Sequence, residues 1–243
     1  MERARLTIES RALHRLVAEV EDGDTWVCRP HAPGEIGAAL RGRELSTVHR
    51  LGKSMWVETG GGPSLGLHLG MTGAILIDEE PHPGVWDRFA LRFEDGGRLA
   101  LRDRRRLGRA VLAPDLSGLG PDAGEIGREE FRRRVGRGRA PLKARLMDQG
   151  VLAGVGNLLA DEALWRAGLH PRRAAGEVSD EESDRLRRAL RGAIRDAIRK
   201  GGAHTGRLVA HRAPGEACPA CGTALERATV GGRTTWWCPA EQR

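Results

Sequence analysis

Several things are scarce in this chain, and each scarcity narrows what it can be. No apolar run approaches the roughly 18 residues that a bilayer span requires, so no membrane partner is expected. The start lacks the charged-then-apolar pattern of a signal peptide, so the expected location is the cytoplasm. No internal repeat and no low-complexity tail is visible, so a solenoid is not expected. Cysteine is sparse, with four in 243 residues. In a reducing compartment such cysteines are expected as metal ligands rather than disulfides.

What the chain does have is positive charge. Lys and Arg number 40 against 33 Asp and Glu, a formal net charge of +7. An excess of this kind suits an anionic partner such as nucleic acid, or serves solubility alone. A chain of this length holds one large or two modest domains with a real core.

Patterning divides the chain in two. RELSTVHRLGKSMWVET and PSLGLHLGMTGAILID are strand-rich with Gly at the breaks. In DRFALRFEDGGRLALRD, Phe89, Leu91 and Phe93 alternate, EDGG turns, and Leu99 and Leu101 resume the alternation. Residues 1–112 therefore read as a β-rich domain behind a short N-terminal helix. Residues 113–127, rich in Pro, Gly and Asp, read as a linker. Helical periodicity follows over 128–209. REEFRRRVG is a short basic helix, and Pro141 opens another that Gly150 closes. Asn157 is placed to cap LLADEALWRA, which Gly168 ends. Ser179 and Glu182 have capping-box spacing, and Leu186, Leu190, Ile194 and Ile198 form a packing stripe.

The last segment, 210–243, carries the metal chemistry. Cys218 and Cys221 form a CxxC, and Cys238 follows a Gly-Gly turn, the layout of a zinc-bearing hairpin. A second CxxC would end at position 241, where the chain has Glu241. Glu241 can serve as the fourth ligand, His211 can reach in instead, or the site is weakened and Trp236 and Trp237 pack the hairpin. A redox CxxC would need a thioredoxin-like context, which is not visible. Cys28 stands alone and reads as an ordinary buried thiol.

Taken together, RLMDQGVLAGVGNLLADEALWRAGLHP, RLGKSMW, LHLGMTG, LRDRRRLG and VGGRTTWWCP resemble the formamidopyrimidine-DNA glycosylase and endonuclease VIII family over residues 2–242. The resemblance implies an α+β fold: an N-terminal β-sandwich, a hinge, and a C-terminal helical domain with a helix-two-turns-helix and a zinc-finger hairpin. It implies a bacterial, nucleoid-associated monomer that binds double-stranded DNA containing oxidised bases or abasic sites, with one structural Zn2+ as its cofactor. Lys53 is then the lysine that supports elimination. Met71, Arg105 or Arg106, and Leu107 fill the gap left by a flipped nucleotide. Asn157 contacts the phosphate near the lesion, and Arg233, like Lys53 a catalytic residue, grips the phosphate next to the damaged nucleotide and assists the last strand-cleaving elimination.

Each of these positions has a plainer reading too. Lys53 is a solvated strand lysine, Met71 packs a core, and Asn157 is simply a cap. Gly154 and Gly156 let backbone N–H groups approach an anion at a helix N-terminus. Arg137, Arg139, Lys143 and Arg145 form a basic face, solvated or phosphate-binding. The stretch GGAHTGRLVAHRAPGEA is short where some relatives carry a capping loop, which favours oxidised pyrimidines, ring-opened purines or abasic sites.

The family's nucleophile is an N-terminal proline amine with a glutamate beside it. Relatives begin Pro-Glu-Leu-Pro-Glu-Val-Glu, whereas this sequence begins MERARLTIE, with Met1 matching the Val. Either the true start lies upstream, or the chain starts here and binds damage without the usual lyase chemistry. As given, the chain is expected to bind DNA and cleave it poorly. Its own α-amine, ordinarily near 7.7–8.0, would lie several residues out of place. The rivals are a non-catalytic damage-binding protein and, more distantly, a ribosomal or RNA-packaging protein.

Overall fold

A computed structural model describes residues 1–78 and 84–243. The chain divides into two units, Met1–Leu116 and Ser117–Arg243. No helix among the described residues is long and apolar enough to cross a membrane.

The first unit begins with α1 (Glu2–Arg11) and continues through β1 (Val17–Glu21), α2 (Glu35–Leu40), β2 (Leu45–Leu51), β3 (Ser54–Thr59), β4 (Leu65–His68), β5 (Ala74–Ile77), β6 (Asp87–Phe93), β7 (Arg98–Arg102) and β8 (Arg109–Leu112). Two four-stranded sheets form, in the orders β1-β6-β7-β5 and β2-β3-β4-β8. Every pairing is antiparallel. The expected hairpin is β6–β7, with Phe89 opposite Leu101 and Leu91 opposite Leu99. One core joins both sheets: Val17, Leu91 and Leu99 from the first meet Leu45, Met55 and Leu67 from the second, with Ile8 of α1 among them. This is the anticipated sandwich. Apolar side chains on alternate positions face inward, and their burial is what holds the sheets together.

The second unit contains α3 (Arg128–Val135), α4 (Leu142–Met147), α5 (Asn157–Ala167), α6 (Asp180–Lys200) and a terminal hairpin, β9 (Glu226–Val230) with β10 (Arg233–Trp237). Three single-turn 3-10 segments lie between these elements. The stretch 117–127 packs into this unit: Ala123 and Ile126 are buried, and Asp122 bridges to Ala153. The capping box at Ser179 forms, with the Glu182 N–H donating to Ser179 Oγ and the Ser179 N–H donating to Glu182 Oε2. Leu186 and Leu190 are fully buried against Phe131, Leu146 and Leu164, while Ile194 packs at the edge. Gly168 ends α5 in the left-handed conformation, φ 66°, as expected.

One cap differs from expectation. Gly156, not Asn157, is the N-cap of α5, in extended conformation, and Asn157 is the first helical residue. The consequence is that the Asn157 side chain is free of capping duty and is used elsewhere.

Candidate nucleic-acid interface

In the first unit, Lys53 occupies a two-residue turn. Leu51 pairs with Ser54, and Gly52 takes φ 61° at the first central position, where only glycine is comfortable. The turn therefore presents Lys53 at the tip of β2–β3. His68, at the end of β4, was not singled out from the sequence, although it lies inside LHLGMTG. Its Nδ1 accepts the Gly70 N–H at 3.0 Å. Burial, then the Lys53 ammonium and the first residue's amine, hold its pKa below the usual histidine value. A neutral imidazole with Nδ1 as acceptor has its proton on Nε2.

The two loops expected to enter DNA are built as one piece. Gly70 has φ 59°, and a Cβ there would come within 2.7 Å of the Leu107 backbone. The loops are pressed together at that point. Asp103, fully buried, organises both. Its Oδ2 accepts the N–H groups of Leu107 at 2.6 Å and Gly108 at 2.7 Å, and its Oδ1 accepts the Arg105 N–H and the Thr72 hydroxyl. Burial would raise the Asp103 carboxyl, but these donors outweigh it and hold the pKa below the usual aspartate value.

On this frame Met71 is 76% exposed and Leu107 42% exposed. The core-packing reading of Met71 is therefore set aside. Arg105 lies against Met71, with Nη1 3.8 Å from the sulfur. Arg106, at φ 55°, turns away and makes a two-pronged contact with Asp24, at 2.9 and 2.8 Å. Of the two arginines, Arg105 is the one beside Met71. Cys28 is fully buried, and burial with Asp22 and Asp24 pushes its thiol up to about 12, so it is inert.

In the second unit, the turn before α5 is braced by one side chain. Gln149 donates from Nε2 to the Met147 and Val155 carbonyls and accepts the Gly154 N–H on Oε1. Gly154, expected to offer its N–H to an anion, thus spends it on Gln149. Its φ of 103° still requires glycine.

The zinc-hairpin turn is glycine-dependent as well. Gly231 and Gly232 take φ 56° and 72° between the paired Val230 and Arg233, the pattern of a type I′ turn. A Cβ on Gly231 would meet Ala144 Cβ at 2.8 Å, so the turn sits directly on α4. Arg233 is exposed at its edge.

Behind Arg233 lies a buried charge cluster. Lys143 was expected on a basic face, but it is fully buried and its Nζ lies 2.6 Å from Asp161 Oδ1. This corrects the face argument: Arg137 and Arg139 are exposed, Arg145 donates to the Arg134 carbonyl, and Lys143 points inward. Arg212 Nε approaches Asp161 Oδ2 at 3.0 Å. The Thr234 carbonyl then collects three donors: Lys143 Nζ at 3.2 Å, Asn157 Nδ2 at 3.1 Å and Arg212 Nη2 at 3.1 Å. Burial lowers the Lys143 pKa and raises that of Asp161, while the charge of each on the other opposes it. The permanently charged Arg212 favours the ionised carboxylate. Asn157 Oδ1 is buried with no hydrogen-bond partner.

The cysteines meet. The sulfurs of Cys218, Cys221 and Cys238 lie within 4.8 Å of one another, with Cys221 and Cys238 3.5 Å apart. A tetrahedral zinc with Zn–S bonds near 2.3 Å would set sulfurs about 3.8 Å apart, so the donor set fits one structural zinc. Burial would raise the Cys218 thiol, but N–H donors from Ala220 and Cys221, with the Trp165 indole N–H at 3.4 Å, bring it to about 7. Burial and the neighbouring sulfurs push Cys238 up to about 11. Glu241, which is exposed, and His211, whose Nδ1 pairs with Glu216 at 2.9 Å, both lie outside the donor cluster. Neither expected fourth ligand is in place: the residue after Glu241, Gln242, is the buried one, and it fastens the backbone at both Cys238 and Leu169.

Comparison with known proteins agrees with this arrangement. Residues 1–110 match the model of the formamidopyrimidine-DNA glycosylase N-terminal domain, 118–207 its H2TH domain, and 215–240 the zinc finger found in FPG and IleRS. The chain belongs to the formamidopyrimidine-DNA glycosylase family. It is 36% identical over 233 residues to the formamidopyrimidine-DNA glycosylase of Halorhodospira halophila, covering 87% of this chain and 86% of that one. It is 33% identical over 260 residues to that of Stenotrophomonas maltophilia, covering 97% and 94%. Among solved structures it is similar to the MutM (Fpg) protein of Thermus thermophilus, with a TM-score of 0.82 and 34% identity over 99% of this chain and 96% of that one. A Lactococcus lactis Fpg solved with abasic-site DNA shares the fold, with a TM-score of 0.86 at 24% identity, over 100% and 97%. Membership places the chain among the glycosylases of DNA base-excision repair.

Two predictions concern the parts of this glycosylase that hold the interface in shape. Asp103→Asn should lower stability by about 2 kcal/mol at neutral pH, since a charged acceptor of several buried N–H groups is lost. Because the folded Asp103 pKa is depressed, its contribution is full above the unfolded aspartate value and lost as pH falls through the folded one. Thermal melts of both proteins should therefore converge in acid; a gap independent of pH would contradict the charge argument. Asp161→Asn leaves Lys143 buried without its counter-charge and should cost about 3–5 kcal/mol in urea denaturation. A loss under about 1 kcal/mol would show that the cluster is not ionised.

Proposed function

We propose that this chain is a bifunctional enzyme: a DNA glycosylase for oxidised bases that also cleaves the resulting abasic site by β- and δ-elimination. It acts on double-stranded DNA as a monomer. The single observation that carries the reading is the convergence of Asn157 and Arg233 on one small piece of backbone. The Asn157 amide donates to the carbonyl of Thr234, the residue next to Arg233. The second N–H of the Asn157 amide and the Arg233 guanidinium, carried by the residue next to Thr234, suit one phosphate held between them. The Lactococcus lactis relatives were solved with abasic-site and Fapy-dG DNA, which supports the same class of ligand here.

The roles divide by unit. In the first, Met71 and Leu107 are exposed apolar side chains on a rigid frame, suited to fill the space a flipped nucleotide leaves, with Arg105 beside them. Lys53, at its turn, is suited to assist elimination, and the neutral His68 next to it offers an Nε2–H donor. In the second, Asn157 and Arg233 hold phosphate, with the exposed Arg137 and Arg139 adding charge. Gly156 and the first turn of α5 complete the anion-facing helix end. The stretch between α6 and the zinc hairpin is short. Its segment 207–209 is tied by backbone N–H groups to the buried Glu162 carboxylate, leaving little chain to cap a purine. Ring-opened purines, oxidised pyrimidines and abasic sites are the substrates this favours.

In the family's chemistry an amine attacks the sugar C1′, the base departs, and a Schiff base forms; loss of the 3′ phosphate then cuts the strand. That amine belongs to the Pro-Glu segment that the family places ahead of the position matched by Met1. A polypeptide starting at Met1 should bind abasic-site duplex and cut it weakly, and one extended by Pro-Glu-Leu-Pro-Glu should cut it and be trapped on it by borohydride. In the extended protein Asn157→Ala should weaken binding about tenfold, the equivalent of one charge-assisted hydrogen bond. Binding without cleavage of any lesion by the extended protein would favour a non-catalytic damage-binding role. Equal affinity for structured RNA and abasic duplex would overturn the DNA assignment.

A further inference from the structure

The zinc hairpin carries two like tetrapeptides, the second ending in Glu241 where the first has a cysteine. Cys218-Pro219-Ala220-Cys221 is followed seventeen residues beyond Cys221 by Cys238-Pro239-Ala240-Glu241. The two tetrapeptides fold alike around their first sulfur. Cys218 Sγ accepts the N–H groups of Ala220 and Cys221, and Cys238 Sγ accepts those of Ala240 and Glu241. In the first copy the fourth residue turns its sulfur into the cluster, 3.5 Å from Cys238. In the second copy the equivalent residue is Glu241, and its carboxylate is exposed and outside the cluster.

A glutamate reaches two bonds further than a cysteine from the same Cβ. From a position shaped for a cysteine, its oxygens overshoot the metal unless the side chain folds back on itself. Neither His211, which pairs through Nδ1 with Glu216, nor His170, edge-on to Trp237, brings a ring nitrogen into the donor group. Among the described residues the donor group therefore holds three ligand atoms. The side of the missing donor is not sealed, because Cys221 and Glu241 are both exposed, whereas Cys218 and Cys238 are buried beside Trp165 and Leu208. Three protein ligands and an accessible fourth position are the arrangement in which zinc retains solvent or an exchangeable ligand.

We propose that the metal held by Cys218, Cys221 and Cys238 has an open fourth position, filled by solvent and exchangeable for a small monodentate donor. Three thiolates leave the complex with one net negative charge, and the Glu241 carboxylate stands outside it. A neutral nitrogen donor is thus the ligand class that the position accepts most readily. The hairpin remains structural, since Gln242 and the Trp165 indole fasten its backbone and sulfur independently of the fourth ligand.

Cobalt(II) substitution of the full chain reads the coordination directly, through its visible ligand-field band and its sulfur-to-cobalt charge-transfer band. The expected result is a three-thiolate spectrum that imidazole shifts saturably, unchanged in both respects by Glu241→Gln. Glu241→Cys should raise the charge-transfer intensity by about one third, three thiolates becoming four, and abolish the imidazole response. The same variant should bind the metal at least tenfold tighter in chelator competition. A wild-type spectrum indifferent to imidazole, a spectrum altered by Glu241→Gln, or a folded chain that takes up no cobalt would each overturn the proposal. Circular dichroism of each variant separates these outcomes from misfolding.

Discussion

The second unit depends on one buried contact, the ion pair of Lys143 with Asp161. Two fully desolvated charges 2.6 Å apart are costly to assemble and costlier to break. Asp161 comes from α5, Lys143 from α4, and Arg212 from the stretch leading to the zinc hairpin. Their donors converge on the Thr234 carbonyl, so the strand that begins with Arg233 has a fixed position relative to α5, which begins with Asn157. The glycine turn seated on Ala144 adds a second fixed point. A phosphate clamp needs its donors placed to within a fraction of an ångström before the anion arrives. For the clamp proposed here, buried charge fixes that placement and leaves Arg233 exposed at its edge.

The first unit meets the same need with a different device. Asp103 gathers backbone N–H groups of one loop and a hydroxyl of the other, and Gly70 allows the two to touch. Met71 and Leu107 can be exposed because the Asp103 carboxylate holds the peptide N–H of Leu107 and the hydroxyl of Thr72, next to Met71. Exposed apolar side chains on such a frame cost solvation in the free protein. They recover it only where something apolar, such as the faces of neighbouring bases, covers them.

Much of this was legible in the sequence, for identifiable reasons. The β6–β7 hairpin followed from alternation around a Gly-Gly turn, and α6 from its capping box and stripe, because both signals are local. The three cysteines declared themselves by spacing. Two of the failures involved distant partners. Nothing in LKARLM says that Lys143 is buried, since Asp161 lies 18 positions on and Arg212 much further. Arg106 looked equivalent to Arg105 until Asp24, 82 residues away, claimed it. Asn157 was misplaced by one position as a cap because Gly156 can adopt the extended cap conformation as well. Gly154 was read as an anion donor because Gln149, five residues earlier, gave no sign of bracing the turn. Asp103 and His68 lay inside quoted motifs, but were overshadowed by the arginines and the methionine beside them.

The central claim is that Asn157 and Arg233 act on one phosphate. A double-mutant cycle tests it most directly, comparing abasic-site duplex affinity for Asn157→Ala, Arg233→Ala and the pair at fixed salt. If both grip the same group, the double variant should lose less than the sum of the single losses, with a coupling of about 1 kcal/mol. Additivity to within about 0.3 kcal/mol would mean that they contact different parts of the DNA, and the shared clamp would be wrong.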